Sequence, residues 1–154
     1  MARLLIGLLL AAASMGAHAA DPLDGKWQLN LANSMFDPGP APKSVVRTQT
    51  LKDDTYTLVS EITEADGTTR TLTFSAKLDG NDYPVTGSVN ADTIALKRVD
   101  ERTIAFTQKK GGKEVVTGRH TVAEDGTELE ISAKGKNTKG EEFSNLMVFD
   151  KARS

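Results

Sequence analysis

The chain has 154 residues, of which 19 are Lys or Arg, 21 are Asp or Glu and none is Cys. Charge this close to balance, with no basic run longer than the stretch "KKGGK" (109–113), argues against nucleic acid or an anionic membrane surface as a partner. The missing cysteine removes thiol catalysis, iron–sulfur clusters and cysteine zinc sites, and leaves stability to one apolar core.

In chain order, Arg3 is followed by the apolar run "LLIGLLLAAASMGA" and the small-residue triplet Ala17, His18, Ala19. That combination predicts a secretory signal over residues 1–19, and a periplasmic or secreted mature protein. No later stretch approaches the roughly 20 apolar residues of a membrane span, so none is expected after cleavage. Residues 20–154 then form a single domain of a size that buries one core.

The remainder is punctuated by turn pairs: Asp24-Gly25, Asp66-Gly67, Asp79-Gly80, Gly111-Gly112, Asp125-Gly126 and Lys139-Gly140. Between them, apolar residues recur with a period of two. Trp27, Leu29 and Leu31 share one face, as do Tyr56, Leu58 and Ile62, and then Leu72, Phe74, Ala76 and Leu78. The pattern continues through Ile94 and Leu96, Ile104 and Phe106, Leu129 and Ile131, and Phe143, Met147 and Phe149, with a short strand at "DYPVTG". One segment differs: in "ANSMFDPGPAPK" the three prolines forbid a regular strand, so a loop is expected to cross one end, either as a rigid connector or as a lid at the ligand entrance with Met35 and Phe36 as its apolar contacts. The stretch "LDGND" carries oxygen ligands but not the spacing of a calcium loop, and reads as a hairpin turn. An antiparallel meander of roughly eight to ten strands leaves open edges unless it closes, so the expected fold is an all-β up-and-down barrel.

Gly25-Lys26-Trp27 on the first strand of such a meander resembles the G-x-W signature of the calycins: lipocalins, fatty-acid-binding proteins and avidins. The opening "GKWQLNLANSMFDPGPAP" and the stretch "DYPVTGSVNADTIALKRVD" are also similar to exported bacterial lipocalin-like proteins. The resemblance implies that Trp27 plugs the closed end, with a basic residue after the last strand, Lys151 or Arg153, packed across it. The helix-turn-helix lid of fatty-acid-binding proteins and the long lipocalin helix before the last strand have no counterpart here.

The same alternation locates inward polar groups. Arg98 follows the phase of Ile94 and Leu96, Gln108 that of Ile104 and Phe106, and Asn145 that of Phe143 and Met147. In "KEVVTGRHTVA" the adjacent Val115 and Val116 leave the phase open, yet either Arg119 or His120 must face inward. A buried charge needs a partner. Arg98, with Arg119 or His120, would meet the carboxylate of an acidic ligand, as interior arginines of fatty-acid-binding barrels do, or else pair with Glu61, Asp100 or Asp150. Tyr56 and Tyr83 add hydroxyls.

His120 is the only histidine after the leader, and no serine sits in a G-x-S-x-G elbow, so neither catalytic residues nor a metal or cofactor site is assigned. The expected function is a binding protein holding a small hydrophobic or acidic amphipathic molecule among Leu58, Phe74, Phe106 and Met147. Two alternatives make distinct structural predictions. A solid barrel would act through its loops on a protein partner, in the manner of a barrel-shaped protease inhibitor. A barrel enzyme would show a polar cluster within hydrogen-bond reach of His120.

Overall fold

The computed structural model describes residues 19–153. The expected leader, Ala19 apart, lies outside the described residues. Among the described residues there are eleven strands: β1 (Gly25–Leu29), β2 (Met35–Asp37), β3 (Ser44–Lys52), β4 (Thr55–Thr63), β5 (Thr69–Lys77), β6 (Asp79–Thr86), β7 (Thr93–Asp100), β8 (Thr103–Lys110), β9 (Lys113–Val122), β10 (Glu128–Lys136) and β11 (Glu142–Lys151). From β3 to β11 each strand pairs antiparallel with the next, and β1 pairs with both β3 and β11, which closes the sheet. β1 and β2 lie along the same neighbour, β11, so the result is an all-β, ten-stave meander barrel.

The expected period of two is clearest on β3 and β4. On β3 the buried positions are Val45, Arg47 and Gln49, and on β4 Tyr56, Leu58 and Ser60. Each inward row continues the row of its neighbour because the register pairs like with like, Arg47 with Ser60 and Gln49 with Leu58. At the far side of the barrel, Phe106 stands opposite Gly118. A β-carbon on Gly118 would lie 1.9 Å from the Ser132 carbonyl oxygen and 2.6 Å from the Phe106 ring, so only glycine lets that ring lie against the wall.

Two details differ from the sequence reading. Leu31 leaves the inward row of Trp27 and Leu29: Asn30 caps a single 3-10 turn at Leu31–Asn33, and Leu31 is exposed. The proline-rich loop begins later than expected. Residues 35–37 still carry free N–H groups, and they pair with Ser144, Asn145 and Leu146 before Pro38 stops the ladder.

The two ends of the barrel are unlike. At one end Trp27 is fully buried, its Nε1 donates to the Leu23 carbonyl at 3.1 Å, and Lys151 Nζ lies 5.1 Å from the ring centroid. Gly25, with φ +135°, is what gives Lys151 its path: a β-carbon there would sit 2.9 Å from Lys151 Cε. Leu23 is pressed against this floor, with the turn before it fixed by Asp21 Oδ1 accepting from the Leu23 N–H at 3.0 Å. Asp24 in turn accepts from the Leu51 N–H. The other end is crossed by residues 37–43 and remains open to the interior.

Candidate functional site

A cavity of about 380 Å³ enters the barrel from that open end. Its wall is mostly apolar and includes Leu58, Leu72, Phe74, Phe106, Met147 and Phe149, while Phe36, Pro40 and Pro42 stand at the rim. A larger groove of about 650 Å³ lies near Asp37, Glu114, Lys134 and Glu142. Its lining includes the exposed, outward-facing Glu114, Lys134 and Glu142, so we place the candidate site in the interior cavity, where a ligand can be enclosed.

Toward the closed end the cavity wall turns polar, with Arg47 from β3, Ser60 from β4 and His120 from β9. Gln49 from β3 and Tyr56 from β4 are buried next to them, outside the cavity lining. Tyr56 OH donates to Gln49 Oε1 at 2.8 Å, and Arg47 supplies Nε to the same oxygen and Nη2 to the Tyr56 hydroxyl, each at 3.3 Å. Gln49 Nε2 donates to the Leu23 carbonyl at 2.6 Å, which ties the cluster to the floor. His120 Nδ1 stands 3.3 Å from Tyr56 OH. Since the tyrosine proton is engaged by Gln49, the tautomer that completes this network carries its proton on Nδ1 and offers an unshared pair at Nε2.

Burial, and secondarily the charge on Arg47, holds the His120 imidazole well below its ordinary 6.5, in the neutral form. Burial raises Tyr56 above its usual value against the opposing pull of Arg47, so the phenol stays protonated. Two rings pack against the histidine, Phe106 at 5.0 Å and Tyr56 at 5.8 Å between centroids, and Phe74 lies edge-on to Tyr56. Two groups in this cluster are incompletely matched. Ser60 Oγ has no hydrogen-bond partner among the described residues. Arg47 has no carboxylate within 4.0 Å among them, and its charge rests instead 5.7 Å from the centre of the Phe149 ring.

The residues singled out from the sequence fall in three places. Leu58, Phe74, Phe106, His120 and Met147 all line the cavity. His120 takes the inward phase on β9, so Arg119 points outward and is exposed. Arg98 follows its inward row only as far as the closed end, where Nη2 meets Asp21 Oδ2 at 2.6 Å and Nη1 donates to the carbonyls of Asp100 and Glu101. It fastens the N-terminal segment over Trp27 and does not line the cavity. Phe36 lines the rim, whereas Met35 faces away and is exposed.

The interior cation that the sequence reading placed at Arg98 is Arg47. A signal for it exists: Leu51, Gln49, Arg47 and Val45 alternate, just as Tyr56, Leu58, Ser60 and Ile62 do on β4. No protein-family model matches the chain, and no curated protein matches it significantly.

Proposed function

We propose that this protein is an exported, calycin-like binding barrel, periplasmic or secreted, that holds a small apolar or amphipathic molecule in its interior cavity. The observation that carries this reading is the cavity itself: about 380 Å³, open at one end, stopped at the other by Trp27, and walled by side chains from most of the staves. That volume lies at the lower end of the range that small-molecule sites occupy, ~300–1,000 Å³. A ligand burying ~200 Å² of apolar surface there gains ~5 kcal/mol before association costs. The leader read from residues 1–19 supports export, and the Trp27–Lys151 stack supports the calycin resemblance.

Native mass spectrometry of the protein purified from its own host tests the reading through a co-purifying small molecule. Independently, an anilinonaphthalene-sulfonate dye should bind wild type and be excluded from Ala133→Phe, which fills the cavity from β10. Dye binding that survives a correctly folded Ala133→Phe would move the site out of the barrel.

The hydrogen-bonded histidine favours a second reading, a barrel enzyme in which His120 moves a proton. Against it, no hydrogen bond joins Ser60 to His120 and no carboxylate orients the ring among the described residues, so the nucleophile–base–acid chain of a hydrolase is not assembled. Turnover abolished by His120→Gln with ligand binding intact would establish this second reading over the first.

A further inference from the structure

The proton positions around His120 can be traced from the barrel floor. Two donors, Trp27 Nε1 and Gln49 Nε2, converge on the Leu23 carbonyl, at 3.1 and 2.6 Å. That contact fixes which way the Gln49 amide points, since its oxygen in the same place would face another oxygen. Gln49 Oε1 therefore turns to Tyr56 and takes the phenol proton at 2.8 Å. With its proton spent, Tyr56 OH accepts from Arg47 Nη2 and from His120 Nδ1, each at 3.3 Å. The imidazole is held neutral by burial and by the charge on Arg47, so a proton on Nδ1 leaves Nε2 with a bare lone pair. Nε2 has no hydrogen bond to the protein among the described residues, although His120 is only 4% exposed. Fully enclosed side-chain polar atoms without a partner are limited to Ser60 Oγ among those residues, so Nε2 opens onto the cavity that His120 lines.

We propose that His120 Nε2 is the polar anchor of the cavity and accepts a hydrogen bond from the hydroxyl of an uncharged, phenol-like ligand. This rests on the binding-barrel reading and names the ligand's polar group, a neutral donor where the sequence suggested an acid. The acceptor decides the class. A ketone or ether brings only lone pairs to face Nε2, and a carboxylate brings lone pairs with a charge, so none of them forms this bond. A ligand without a donor leaves the buried acceptor bare, which is penalised, so the contact is selective as well as attractive. An aromatic body suits the walls: Phe106 lies 5.0 Å from the imidazole between centroids, and Phe74 and Phe149 line the same cavity. Arg47 acts indirectly. Its Nε and Nη2 are engaged by Gln49 and Tyr56, and its charge opposes a second proton on His120, which would turn the acceptor into a donor.

The test compares 2-naphthol with 2-methoxynaphthalene, naphthalene and 2-naphthoate by isothermal titration calorimetry near neutral pH, where a phenolic hydroxyl is uncharged. Wild type should bind naphthol about tenfold more tightly than the ether or the hydrocarbon. His120→Leu should erase that preference while keeping the affinity for naphthalene, and His120→Gln, whose amide oxygen also accepts, should restore part of it. Should neither variant fold, the imidazole nitrogen resonances of isotope-labelled wild type decide the matter: Nε2 resonates as an unprotonated nitrogen and moves toward the protonated position with naphthol but not with the ether. A proton found on Nε2, equal affinity for naphthol and the ether, a naphthol preference that His120→Leu leaves intact, or tightest binding of naphthoate overturns the hydroxyl anchor and leaves the binding barrel standing. Binding of none of the four overturns both.

Discussion

The closed end and the cavity end of this barrel are built from the same alternating strands, yet they spend their polar groups differently. At the closed end each large side chain has a partner: Trp27 has the Leu23 carbonyl and Lys151, and Arg98 has Asp21 and two backbone carbonyls. Around the cavity, Arg47 lacks a carboxylate, Ser60 lacks any protein partner among the described residues, and Leu72, Phe143 and Met147 are only half buried. The contrast teaches that close packing is distributed unevenly along the barrel axis. One end makes the fold, and the other tolerates incomplete packing that a bound molecule can complete.

The largest effect that exposes this division comes from a pair of truncations. Trp27→Ala opens a hole in the tightest part of the core and should cost about 3–5 kcal/mol, enough to unfold a marginal domain. Met147→Ala removes a side chain that already borders open volume, so it should cost well under half as much. Urea denaturation of both variants checks this, and equal losses would mean that the cavity wall is as well packed as the floor.

Acid should reveal the same asymmetry through His120. The unfolded chain takes up a proton on this residue near pH 6.5, whereas burial holds the folded state's value well below that. Stability from this group is therefore complete above about 6.5 and is lost as pH falls toward the folded value, with a limiting slope of about 1.4 kcal/mol per pH unit. His120→Gln should flatten that part of the profile relative to wild type. Stability curves of the two proteins that stay parallel between pH 7 and 5 would show that the folded state protonates His120 freely.

How much of this was legible in the sequence depends on whether the signal was local. Period-two strands, the paired turn residues and the Gly25-Lys26-Trp27 triplet are local, and they yielded the closed all-β meander and the place of Trp27. The apolar wall followed from the same alternation. The polar cluster did not, because β3 opens with Val45 and Val46 on opposite faces, and only Leu51 at its far end fixes Arg47 as inward. Arg98 has the right phase, but its partner Asp21 lies 77 residues earlier and no local pattern couples them. The turn between β3 and β4 was also missed: Asp53 and Asp54 both take positive φ, 50° and 61°, at positions where glycine or asparagine is the usual marker.

The Arg98–Asp21 contact sharpens the comparison at intermediate scale. Both side chains are partly exposed, and solvent screens the pair, so its charge alone is worth little. Arg98 also caps the carbonyls of Asp100 and Glu101 at the start of the turn into β8. Arg98→Met should cost about 1 kcal/mol by thermal denaturation and leave ligand affinity at its wild-type value. A loss of affinity without a loss of stability would return Arg98 to the binding site.

The smallest effect is expected to have the opposite sign. Ser60→Ala removes a buried hydroxyl that no protein group satisfies among the described residues, so no protein hydrogen bond is broken. Such a change should be neutral or stabilise by up to about 1 kcal/mol. Tyr56→Phe, two inward positions away on the same strand, should destabilise, because Gln49, Arg47 and His120 all engage that hydroxyl. If Ser60→Ala instead destabilises as much as Tyr56→Phe, Ser60 belongs to the fold's own network. If it stabilises, the serine is a hydroxyl kept at the expense of stability, which is the pattern expected of a group whose partner arrives with the ligand.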